Sequence, residues 1–109
     1  MSRRIVLGLG SLLLHSAACA AGSSAGPVTT VYAYSGDVAM FAAGTHQGKP
    51  ACSTAAEDWA FTLTTPTGKA MLALLISAQA QGKAVTVGGT GACSAWSDRE
   101  APLYIVISQ

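Results

Sequence analysis

The chain has 109 residues, half of them apolar and 10% charged, with a formal charge of +1. That length holds one small domain. The near-neutral balance supplies no basic patch to attract phosphate backbones, so nucleic acid is not an expected partner.

The first segment is a leader. Arg3 and Arg4 precede an apolar run from Ile5 to Leu14, and Ala18-Cys19-Ala20 gives a small-residue exit before Ala21. A charged start, a short apolar middle and an A-x-A exit read as a secretory signal peptide over 1–20. Its apolar run is too short to span a bilayer, and no later segment is long enough, so no membrane span is expected. Ser2-Arg3-Arg4-Ile5-Val6-Leu7 also resembles the twin-arginine export pattern. Lipidation of Cys19 is less favoured than cleavage between Ala20 and Ala21, because Ser16 stands where a lipoprotein signal prefers an aliphatic residue. The expected location is the periplasm or the exterior.

Removal of residues 1–20 changes the arithmetic. Lys49, Lys69, Lys83 and Arg99 then face Asp37, Glu57, Asp58, Asp98 and Glu100, for a net charge of −1. Two cysteines remain, Cys52 and Cys93, in a chain bound for an oxidising compartment, and they read as one disulfide. Closing a loop of about 40 residues contributes roughly 3–4 kcal/mol in the chain-entropy model. A metal site would need a second pair of cysteines or histidines at suitable spacing, so neither a metal nor another cofactor is expected.

Ala21–Pro27 is small and polar and reads as a flexible leader, which leaves 28–109 as one domain. Val28–Ser35 is rich in β-branched and aromatic residues, with Val28, Thr30, Tyr32 and Tyr34 expected on one face. Ser35-Gly36-Asp37 turns the chain into a second strand, Val38–Ala43, in which Met40 and Phe41 point to opposite faces. A loop through Gly44–Ala51 leads to Cys52. Trp59–Thr64 alternates strongly, with Trp59, Phe61 and Leu63 inward.

Thr65–Lys83 carries the one full helix signature. Thr65 or Thr67 caps the start, Pro66 suits the first turn, and Gly82 stands where a helix stops. Met71, Leu74, Leu75 and Ala78 form a stripe that Leu72 and Ile76 widen to roughly 200°. That width exceeds what one barrel end requires, so Leu72 and Ile76 are candidates for a subunit interface as well as for core. Ala84–Thr90 reads as a strand with Val85 and Val87 on one face, and Gly88, Gly89 and Gly91 mark a bend or bulge. Ser94–Pro102 is a charged loop around Trp96. Leu103–Ser108 is a last strand with Leu103, Ile105 and Ile107 on one face. The order β-β-β-α-β-β predicts a mainly β fold with one helix, a five-stranded OB-fold-like Greek-key barrel with one disulfide.

Catalytic groups are sparse. His46, the one histidine after residue 20, sits in a polar loop and reads as solvated, with no serine and carboxylate spaced to complete a triad. Glu57-Asp58 and Asp98/Glu100 are the carboxylate pairs that glycoside cleavage would need, and solvated charge is the ordinary account of both. The Gly88–Gly91 run lacks the Lys-Ser/Thr of a phosphate loop and opens no helix. The expected protein is not an enzyme. Tyr32, Tyr34, Trp96 and Tyr104 are aromatics with polar atoms, suited to stacking on sugars or anchoring proteins. Trp96 stands beside Asp98, Arg99 and Glu100, a pattern suited to polyols, and Tyr34, Trp96, Asp98 and Glu100 are the candidate ligand-binding residues.

Several short motifs also carry a family likeness: Tyr34-Ser35-Gly36, Lys49-Pro50-Ala51-Cys52, Trp59 with Phe61, and Gln81-Gly82-Lys83-Ala84-Val85. With them, Val28–Ser108 resembles the B subunit of subtilase cytotoxin and its small exported relatives in proteobacteria. The resemblance implies an OB-fold, a ring of five subunits, a catalytic A subunit as partner and recognition of sialylated glycans. The toxin holds sialic acid through a serine just before its first strand. This chain reads Gly26-Pro27 there, with Ser23 and Ser24 nearby. The alternative expectation is a periplasmic protein-interaction module, such as an inhibitor or envelope factor, with no toxin role.

Overall fold

The computed structural model describes residues 20–108. The signal-peptide, twin-arginine and Cys19 expectations fall on residues outside that range. Five strands and one helix follow in the expected order: β1 (Ser23–Tyr34), β2 (Val38–Ala43), β3 (Trp59–Thr62), α1 (Pro66–Gln81), β4 (Ala84–Gly89) and β5 (Pro102–Ile107). They form one antiparallel sheet in the order β3-β2-β1-β4-β5. The chain leaves β3 at one edge, crosses through α1, and re-enters beside β1.

The first strand organises the sheet. Its N-terminal half, Ser23–Pro27, pairs with β4, and its C-terminal half, Val28–Tyr34, pairs with β2. Ala21–Pro27 is therefore not a flexible leader. From Ser23 onward it is β-strand, and the buried Gly22 and Ser24 tie it to the interior. Small side chains, which read as a linker in sequence, are what a strand needs where other backbone crowds against it.

Two bulges overturn predicted faces. Val28 pairs with Ala43 and Thr30 with Ala42, so Thr29 is an extra residue that reverses the alternation. Val28 and Val31 consequently meet the core, whereas Tyr32 and Tyr34 face outward. On β5, Gly88 pairs with Tyr104 and Gly89 with Pro102, which leaves Leu103 as the extra residue. Ile105 and Ile107 pack on the core as expected, but Leu103 is 63% exposed.

The helix begins and ends as its sequence predicts. Thr65 has extended backbone and its Oγ1 accepts from the Gly68 N–H at 3.0 Å, Pro66 occupies the first turn, and Gly82 closes the helix at φ 66°. Gly68, Met71, Leu75 and Ala78 make the buried stripe. Leu72 rests half-buried against the same core, and Ile76 is 53% exposed. Among the described residues, no helix is long and apolar enough to cross a membrane.

Phe41, Trp59, Phe61, Met71, Leu75, Val85, Val87 and Ile105 dominate the main core. All six residues of β2 are buried, because its other face is covered too. There Val38, Met40 and Ala60 form a second cluster with Ala95 and Trp96 of the loop before β5. A parallel bridge between Trp59 and Glu100, with the Ala60 N–H donating to the Glu100 carbonyl at 3.2 Å, brings the two sheet edges together. Cys52 and Cys93 are joined in a disulfide across a separation of 41 residues. This bond ties the loop after β2 to the loop after β4 and suits a compartment outside the reducing cytoplasm.

Candidate ligand-binding site

The reversal at Thr29 puts Tyr32 and Tyr34 on the outer face of β1. Alternation along β2 puts Met40 on the same side as the cover formed by Trp96. Tyr34 and Trp96 meet edge to face, with ring centroids 5.2 Å apart and planes at 85°. Together with Tyr32, Met40 and Arg99 they line a depression of about 150 Å³. Tyr34 is half exposed and Trp96 half-buried, so the pair presents aromatic surface while its far side packs on Met40 and Val38.

Arg99 holds this surface together. Its Nη1 donates to the Tyr32 hydroxyl at 2.8 Å, touches the Met40 sulfur, and lies 3.3 Å from Asp58 Oδ2. The Tyr32 hydroxyl in turn donates to Asp58 Oδ2 at 3.4 Å. Arg99 Nε lies 3.1 Å from Asp98 Oδ1, close enough for charge pairing though off the line of a hydrogen bond. Burial pulls the Arg99 pKa down, but the Tyr32 hydrogen bond and the charges of Asp58 and Asp98 outweigh it and raise it above its ordinary value. The guanidinium is a permanent cation with its charge already matched.

Three of the four predicted site residues, Tyr34, Trp96 and Asp98, therefore lie at or beside one surface. Glu100 does not. It is fully buried, and its carboxylate accepts from the Gly22 N–H at 2.9 and 3.2 Å, from the Gly91 N–H at 2.8 Å, and from His46 Nε2 at 2.8 Å. Its own backbone N–H donates to Ser53 Oγ at 3.1 Å. Glu100 thus binds the start of β1, the turn after β4 and the loop after β2 to one point.

His46 is likewise a core residue and not a solvated one. Its side chain has no exposed surface, and its ring stacks on Trp59 with centroids 3.7 Å apart. Since the Glu100 oxygens accept, the proton belongs on Nε2, which leaves Nδ1 without a partner. Trp59 completes the cluster by donating from Nε1 to Ser24 Oγ at 3.0 Å. Neither side chain of this His–Glu pair has exposed surface, and the pair joins the loop after β2 to the loop before β5.

Arg99, Asp58 and Met40 are members of the outer site that sequence reasoning did not assign. Arg99 was legible as the lone cation between Asp98 and Glu100, and Met40 as the outward residue of β2. Asp58 stood out in sequence only as half of the Glu57-Asp58 carboxylate pair, and it reaches the site from the loop before β3. Tyr104 stands outside the depression, its ring lying over Gly88.

Two other concavities lie elsewhere on the surface. An open groove of about 360 Å³ between the start of α1 and β5 is lined by Phe61, Thr65, Gly68, Met71, Pro102 and Leu103, among others. It is larger, but its lining carries no charged group, and its one aromatic ring is buried. A polar depression of about 300 Å³ is bordered by Ser23, Ser24, Thr45, Gln47 and Thr86, without an aromatic face. Among the described residues, no group of three His, Cys, Asp or Glu side chains is placed to hold a metal ion. Comparison with family models, with curated proteins and with solved structures finds no match to this chain.

Proposed function

We propose that this protein is an exported, non-catalytic binding module that recognises a glycan through the Tyr34–Trp96 surface. The observation that carries the reading is that aromatic pair, held over Met40 with Tyr32 and Arg99 in the same lining and Asp98 against Arg99. Rigid aromatic faces beside hydrogen-bonding groups match the C–H face and hydroxyls of a sugar ring. The strand order and the approach of the two sheet edges support an OB-fold-like barrel, and with the disulfide they support kinship with toxin B subunits. On that reading the signal peptide over 1–20 directs the chain to the periplasm or beyond.

The test is a glycan array probed with purified protein and with Trp96→Ala. Binding that falls at least about tenfold in the variant, with an unchanged circular dichroism spectrum, is the expected result for loss of an aromatic anchor. A blank array with folded protein overturns the reading.

A second reading rests on exposed apolar side chains elsewhere. Ile76 on α1 and Leu103, Tyr104 and Val106 on β5 are all about half exposed or more. Such a set favours a protein contact, either between copies in a ring or with another envelope protein. Light scattering separates the two, since a ring of five has five times the monomer mass. A gene for a secreted catalytic subunit beside this one would favour the toxin form.

A further inference from the structure

We infer that the Tyr34–Trp96 depression selects neutral, hydroxyl-rich sugars and rejects anionic ones, including the sialylated glycans of the toxin subunits. The inference rests on the glycan reading above and adds the charge class of the ligand. Capture of a sialic-acid carboxylate calls for a cation whose charge is not already matched. Among the residues lining the depression, Arg99 is the one cation, and two carboxylates, Asp58 and Asp98, already face it. Nη1 serves Tyr32 and Asp58, and Nε faces Asp98. Lys49, on the loop after β2, is held by the Ala56 carbonyl, to which its Nζ donates at 2.7 Å.

The accessible charge has the opposite sign. Asp98 lies beside the lining, against Arg99, and its side chain is 44% exposed against 19% for Arg99, so the more accessible member of the pair is the carboxylate. Asp58 and Asp98 against Arg99 leave the site with one surplus negative charge. A carboxylate accepts hydrogen bonds and donates none, so it rewards a ligand that brings hydroxyl donors and repels one that brings a second carboxylate. Trp96 and Tyr34 add a stacking face that needs no charge on the ligand.

Matched pairs of immobilised glycans test this directly: lactose, N-acetyllactosamine and gangliotetraose, each with its sialylated form. Wild-type protein should bind the neutral member of at least one pair about tenfold more tightly than its sialylated form, the discrimination that one unmatched like charge readily produces. Asp98→Asn should narrow that ratio, and raising the salt concentration should narrow it as well, because the repulsion is screened. Equal or tighter binding of the sialylated forms overturns the charge selection and leaves the glycan reading intact. Binding of no glycan, neutral or sialylated, overturns the glycan reading, and this inference falls with it.

Discussion

Trp96 and Glu100 belong to the same short loop yet face opposite ways, and the difference lies in what each can satisfy. Trp96 has a wide apolar face and rests it on Met40 and Tyr34 at the surface. Glu100 is accepted in the interior because four hydrogen bonds from Gly22, Gly91 and His46 converge on its oxygens. Glu100→Gln should therefore be costly. Its amide would aim an N–H at another N–H, and the expected loss is about 3 kcal/mol, read as a lower urea midpoint at unchanged slope. Asp98→Asn, on the exposed rim, should change stability by less than about 0.5 kcal/mol. In sequence these two carboxylates look alike. The donors that bury Glu100 are backbone N–H groups from distant glycines, which no residue pattern advertises. Gly89 shows the same intimacy, since a Cβ there would overlap the Glu100 carboxylate.

At the scale of elements, α1 was legible because its signals are local: a threonine cap, a proline in the first turn, an apolar stripe and a terminal glycine. The strands were legible as strands for the same reason, through β-branched and aromatic content. The faces of β2, β3 and β4 were legible as well. Those of β1 and β5 were legible only in part, because a single bulge residue at Thr29 or Leu103 reverses the alternation beyond it, and the partner strand sets where the bulge falls. The helix offers graded tests. Leu75→Ala, fully buried in the main core, should cost about 2–5 kcal/mol in chemical denaturation. Thr65→Ala removes the cap to Gly68 and should cost about 1 kcal/mol. Ile76→Lys leaves the buried stripe intact and should shift the melting temperature little. A drop in mass by light scattering in that variant would mark Ile76 as a contact between copies, and unfolding instead would show that Ile76 belongs to the core.

For the whole molecule, the disulfide does more than shorten the unfolded chain. Cys52 and Cys93 join the two loops that supply both sides of each polar assembly: His46, Asp58 and Ser53 come from one, and Gly91, Trp96, Arg99 and Glu100 from the other. The sheet and α1 pack through the main core without passing through this bond. Replacing both cysteines by serine should therefore act at two levels. Global stability should fall by roughly 3–4 kcal/mol, the chain-entropy value for a loop of this length. Local order should fall first where the loops meet, so amide exchange at Gly22, Gly91 and Ala60, which donate to Glu100, should quicken more than exchange in α1. Glycan binding should weaken in the same variant at temperatures where helical content is still full, because Trp96 and Asp58 reach the site from opposite sides of the missing link. Uniform quickening across the sheet and helix would instead show that the bond stabilises the fold as a single unit and sets the site no more than the rest.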